Sequence, residues 1–89
     1  NWLILNYKKN SFSFTRYGWT VPKFVGNAVI RNRFKRWCRE IVRKNHQNND
    51  QVGLDINVVF KRAKKEFYKN LTYGELEKQL NKAVFKLFK

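Results

Sequence analysis

The sequence predicts an α+β fold, a small sandwich in which one mixed sheet is packed by helices. Three stretches carry that expectation. "GLDINVVFKR" alternates Leu54, Ile56, Val58 and Phe60 with polar or smaller neighbours, the period of a half-buried strand. From Asn27 to Lys44, Ile30, Phe34, Trp37, Cys38 and Ile41 fall on one stripe roughly 100° wide, as on an amphipathic helix. "LTYGELEKQLNKAVFKLFK" opens with Thr72 and Glu75 in capping-box spacing, and Leu71 with Leu76 at the spacing of a hydrophobic staple. The 89 residues suffice for one small domain, 1–89, and not for two.

The elements follow in chain order. Trp2 to Leu5 is a short apolar run before a polar break at Lys8 to Ser11, which favours a strand. Phe12 and Phe14 alternate with Ser13 and Thr15, after which Tyr17, Trp19 and Val21 take the other parity. That switch predicts a bulge or two successive pieces, with Arg16, Gly18 and Thr20 on the face opposite Tyr17 and Trp19. Pro22 lacks an N–H, so the second strand ends there or runs along an edge. Asn27, after Gly26, is the expected N-cap of the first helix. "KNHQNND" closes that helix in a polar loop, the third strand follows, and "KRAKKEFYKN" is a basic connection to the last helix. There, Leu76, Leu80, Ala83, Val84 and Leu87 form the stripe to be buried.

Charge narrows the function. Twenty Lys and Arg oppose six Asp and Glu, net +14. A small domain with that excess calls for an anionic partner: nucleic acid, an anionic membrane surface or an acidic protein. No apolar run approaches the roughly 20 residues of a membrane span, and no membrane partner is expected. The single cysteine cannot form an internal disulfide, which fits a reducing, cytoplasmic setting. The chain begins at Asn1 and has no Met, so a segment N-terminal to it is expected.

Side-chain catalysis finds little support. Glu40, Asp50, Asp55, Glu66, Glu75 and Glu77 are scattered, and Glu75 is accounted for by its cap. Metal-ligand spacings are absent, so no catalytic or metal residues are expected. His46, the only histidine, reads as an ordinary surface residue, and Cys38 as a small buried hydrophobe. The cations are different. Arg31, Lys35, Arg36, Arg39 and Arg43, with Asn32, occupy the arc of the first helix away from its apolar stripe, and Arg33 sits at the apolar edge. Glu40 is the only acid from Asn27 to Lys44, so a merely solvated face is a weaker explanation than phosphate binding. Arg offers planar bidentate contacts to phosphate. Lys61, Arg62, Lys64 and Lys65 form a second cluster, either another phosphate contact or a solvated loop. Trp2, Phe12, Phe14, Tyr17 and Trp19 either stack on bases or, as aromatics more often do, pack in the core.

"VPKFVGNAVIRNRFKRWCREIVRK" resembles the signature of the bacterial ribonuclease P protein subunit. The matching residues are Gly26, Asn27, Ala28, Val29, Arg31, Asn32, Arg33, Lys35, Arg36 and Arg39, and the downstream order of strand and capped helix agrees. The resemblance implies RNA-binding roles for Asn27, Arg31, Asn32, Arg33, Lys35, Arg36 and Arg39, with the helix facing a catalytic RNA, and the charge pattern adds Arg43, Lys61 and Arg62 to the expected RNA-binding set. It implies a cleft for the 5′ leader of precursor tRNA that includes Leu5, Thr20 and Lys23, and a left-handed strand–helix–strand crossover. It further implies a monomeric protein in a 1:1 complex, chemistry performed by the RNA with magnesium ions, no cofactor on the protein and no activity of the protein alone. Family members usually begin with a further helix, many have Tyr where this chain has Leu5, and Pro22 and Phe24 replace the usual Ser and second Lys. A ribosomal-protein-like structural RNA binder is the alternative. A protein nuclease using Glu40, Asp55 or His46 is a third reading.

Overall fold

A computed structural model describes residues 1–47 and 53–88. The elements are β1 (Leu3–Lys9), β2 (Arg16–Thr20), a 3-10 turn (Lys23–Val25), α1 (Ala28–Asn45), β3 (Leu54–Phe60) and α2 (Tyr73–Leu87). The three strands form one mixed sheet in the order β1-β3-β2. Strand β3 is central, antiparallel to β1 and parallel to β2.

Register sorts the side chains. Leu3 lies opposite Phe60, Leu5 opposite Val58 and Tyr7 opposite Ile56, while Tyr17 and Trp19 stand beside Ile56 and Val58. With a strand period of two, these residues share one face. Against it pack Phe34, Cys38, Ile41 and Val42 of α1 and Leu76, Leu80 and Val84 of α2, all buried. Ile4, Asn6, Lys8, Arg16, Gly18, Thr20, Asp55, Asn57 and Val59 take the other parity, and among the described residues no helix covers them. The capping box forms as expected: the Glu75 N–H donates to Thr72 Oγ1 at 3.2 Å, and the Thr72 N–H to Glu75 Oε1 at 3.0 Å. Leu71 and Leu76 are both buried.

Several expectations change. β1 continues through Lys9 instead of breaking at Lys8, because pairing with Asp55 and Leu54 carries the ladder through the two lysines. Phe12 and Phe14 belong to a turn, and the strand starts at Arg16, so the parity switch is a loop–strand boundary. β2 ends at Thr20 and is also an edge strand, as Pro22 requires. His46 is a correction: it is 1% exposed, caps α1 and has Nε2 2.7 Å from Asn81 Oδ1, so α2 covers it.

The connection after β3 is also more than a basic loop. Tyr68 is buried, and its hydroxyl donates to the backbone carbonyl of Lys61 and stands 3.3 Å from that of Trp2. Trp2, Phe60, Phe67 and Tyr68 form a cluster of ring contacts that closes one end of the core.

At the opposite end, Gly53 has φ 67°, and a Cβ there would lie 2.6 Å from the Phe12 carbonyl oxygen. Gly53→Ala is therefore expected to cost about 1–2 kcal/mol in backbone conformation before the clash is counted. A lower urea midpoint at unchanged slope would register this, and an unchanged midpoint would refute it.

Candidate nucleic-acid interface

Asn27 sets where the basic helix begins. Its Oδ1 accepts the Ile30 N–H at 3.0 Å, and its carbonyl accepts the Arg31 N–H at 2.9 Å. Just before it, a Cβ on Gly26 would come within 2.9 Å of Ile30 Cγ2, so a larger residue here would have to displace Ile30. Arg31 is half-buried, and its Nε–H donates back to the Gly26 carbonyl at 3.1 Å.

The cations of α1 divide into two kinds. Arg33 is held by rings: its guanidinium carbon lies 5.0 Å from the Trp37 centroid and 5.5 Å from that of Phe34. Its Nε is buried without a hydrogen-bond partner among the described residues. Arg31 and Arg33 thus brace the helix start as well as carrying charge. Asn32, Arg36, Arg39 and Arg43 are exposed. Their i, i+4, i+7, i+11 spacing keeps them within an arc of about 60°, opposite the core stripe, over about 16 Å of helix. Lys35 flanks this ridge, half-buried. The one acid near it among the described residues, Glu40, sits 3.9 Å from Arg36 Nε, too far for a hydrogen bond.

Three other described acids, Asp55, Glu75 and Glu77, are engaged elsewhere. Asp55 takes both hydrogen bonds of the Arg16 fork, at 2.8 and 2.7 Å, and one from Asn10 at 2.9 Å. Arg16, then Asn10, hold its carboxyl down to about 2. The Thr72 backbone N–H keeps Glu75 below the usual carboxylate range, and Lys44, 2.6 Å away, does so for Glu77. A depressed folded pKa stabilises above the unfolded value and is lost as pH falls through the folded one. For Asp55 that window runs from 3.8 down to about 2. Asp55→Asn is expected to flatten the acid limb of the stability profile in that window. An unchanged limb in acid-unfolding titrations would show that the Arg16 pair contributes nothing.

The second basic cluster comes beside the helix start. Arg62 stacks its guanidinium 4.7 Å from the Phe24 centroid, and a groove of about 570 Å³ runs between Phe24, Gly26 and Ile30 on one side and Arg62, Lys64 and Lys65 on the other. Lys61 is exposed at the end of β3. Sequence reasoning misses Phe24 as part of this surface; its signal there is an aromatic stranded between Lys23 and a helix cap. The three cleft residues are not gathered together. Leu5 is half-buried on the helix-covered face, in a groove it shares with Tyr7, Ala83 and Leu87. Thr20 stands on the open face, where its Oγ1 accepts from Asn57 Nδ2 at 2.9 Å, and Lys23 is exposed in the 3-10 turn. Leu5 pairs with Val58 and Thr20 with Val59, and a one-residue offset puts two side chains on opposite faces.

Candidate catalytic groups are dispersed. Burial pushes the Cys38 thiol up to about 12, so it is no nucleophile. Among the described residues no three of His, Cys, Asp and Glu come together.

The family model for ribonuclease P matches residues 1–87. The chain belongs to the ribonuclease P protein family. It is 39% identical over 87 residues to the ribonuclease P protein component of Fusobacterium nucleatum, covering 97% of this chain and 76% of that protein. With the same component of Finegoldia magna it is 46% identical over 71 residues, covering 80% and 58%. The structure superposes on the ribonuclease P protein of Thermotoga maritima with a TM-score of 0.77 at 28% identity, covering 91% of this chain and 73% of that one. For the Staphylococcus aureus protein the TM-score is 0.76 at 26% identity, covering 97% and 74%. Those solved ribonuclease P proteins share this fold, and the curated relatives carry the name ribonuclease P protein component.

Proposed function

We propose that this chain binds a catalytic ribonuclease P RNA and the 5′ leader of precursor tRNA, and so assists RNA-catalysed removal of the leader. The observation that carries the reading is the ridge of Asn32, Arg36, Arg39 and Arg43, set opposite the core, with Glu40, 3.9 Å from Arg36 Nε, the one acid beside it among the described residues. Packing needs no such ridge, and self-repulsion opposes it. A polyanion relieves that repulsion. Between two RNAs, the same cations reduce the repulsion of one backbone for the other. In this reading the chemistry and its magnesium ions belong to the RNA. The protein binds as a monomer, 1:1, in the cytoplasm, holds no cofactor of its own and cleaves nothing alone.

The test is cleavage of a precursor tRNA by a bacterial ribonuclease P RNA at limiting magnesium, with and without the chain. The expected result is leader removal that needs both components. Cleavage by the protein alone, or no stimulation, would overturn the reading.

Within the same assay, Arg31→Ala and Arg33→Ala are expected to weaken function more than Lys78→Ala, which alters an exposed cation on α2. Each of the two also loosens the start of α1. Equal losses at all three positions would mean that only net charge matters.

A further inference from the structure

The loop "NSFSFT" between β1 and β2 presents two phenyl rings that neither the core nor the basic helix uses. Its backbone is firmly held. The Asn10 N–H donates to the Gly53 carbonyl at 3.0 Å, and Asn10 Oδ1 accepts the Phe12 N–H at 2.9 Å. Asn10 Nδ2 donates to the Phe14 carbonyl at 3.2 Å and to Asp55 at 2.9 Å. Thr15 is buried, and its Oγ1 accepts the Leu54 N–H at 3.4 Å. Yet Phe12 and Phe14 remain 45% and 47% exposed, stacked on each other with centroids 5.2 Å apart and planes 29° apart. The Arg16 guanidinium carbon lies 4.6 Å from the Phe12 centroid, and Asp55 fixes that guanidinium through two hydrogen bonds. An anchored loop that exposes paired rings is a pre-organised surface rather than a failure to bury.

We propose that Phe12 and Phe14 form a platform on which an unpaired base of an RNA strand stacks. The inference rests on RNA being the partner of this chain. Charge favours RNA over a protein. Lys8 and Lys9 are exposed on the strand leading into the loop, and among the described residues neither joins an ion pair. Exposed aromatics flanked by cations are the composition of single-strand binding surfaces, whereas the centres of protein interfaces are depleted of charge. Arg16 and Lys8 belong to the open face, so the platform stands at its rim, across the sheet from α1. It is thus a contact distinct from the basic ridge, and stacking makes it tolerant of base identity.

The test uses the full chain and an adenylate octamer. The ring-proton resonances of Phe12 and Phe14 are expected to move upfield and saturate with the octamer. Affinity is expected to fall by about 5- to 100-fold in Phe12→Ala/Phe14→Ala, and to survive in Phe12→Tyr/Phe14→Tyr, which keeps both ring faces. Three results would each overturn the platform: unchanged affinity in the Ala pair; still rings while amides of α1 move; or rings that move with protein concentration alone, which would assign the surface to a second copy. The ring resonances of the unmodified chain decide the matter even where the Ala pair fails to fold. A chain that supports leader removal but shows still rings keeps its place beside ribonuclease P RNA and loses the platform. Moving rings without support of cleavage would do the reverse.

Discussion

Raising monovalent salt from about 50 to about 200 mM is expected to lower the affinity of this chain for a ribonuclease P RNA by about 10³ to 10⁵, if roughly 6–10 phosphates are contacted. The figure is set by counterions released from the RNA, and the slope of log affinity against log salt counts the contacts. The ridge on α1 offers Arg36, Arg39 and Arg43, with Arg31, Arg33 and Lys35 flanking, and Lys61 and Arg62 lie after β3. Arg39→Ala, which removes one exposed cation from the ridge, should reduce the slope by about one. Lys78→Ala should leave it unchanged. A nearly flat salt profile for the unmodified chain would rule out phosphate contact as the basis of binding, and with it the proposed role of α1.

The second large effect is on stability. Phe34 is fully buried where α1 meets the sheet, with ring centroids 5.5 Å from Trp37, 5.7 Å from Phe60 and 6.1 Å from Tyr68. Phe34→Ala removes that centre and is expected to cost about 3–5 kcal/mol. A domain of this size commonly holds about 5–15 kcal/mol in all, so the variant stands near unfolding at ordinary temperature. Each kcal/mol shifts the midpoint of a domain this small by about 4–8 °C, so a drop of at least about 12 °C is expected. Phe34→Leu keeps an apolar side chain and should lose less. Because Arg33 leans on the Phe34 and Trp37 rings, the Ala variant should also weaken RNA binding in the fraction still folded. A loss under about 1 kcal/mol would mean that α1 does not dock through this residue.

The repeat of apolar residues makes α1, β3 and α2 legible in the sequence, because a helix or strand that buries one face must write its period into the chain. Asn27 and the pair Thr72 and Glu75 mark helix starts for an equally local reason: a cap bonds to backbone three residues away. The ridge of cations on α1 is legible on the same ground, since one helix carries all of it. The weaker readings concern partners far apart in the chain. His46 reads as a surface residue because nothing local announces Asn81, 35 positions later. "KRAKKEFYKN" reads as a basic connection because Trp2, which receives Phe67 and Tyr68, lies at the other end of the chain. Leu5 and Thr20 fall on opposite faces of the sheet, which no local pattern announces, since β1 and β2 do not pair with each other and each takes its side from β3. The sequence by itself therefore determined which faces are apolar, which helix carries the charge and the family signature. The tertiary structure decided which distant segments share a surface: Arg62 on Phe24 beside the start of α1, and Asn10, Gly53 and Asp55 beneath Phe12 and Phe14. Local patterns fix local conformation, whereas contacts between remote segments depend on strand pairing and packing that no short window of sequence contains.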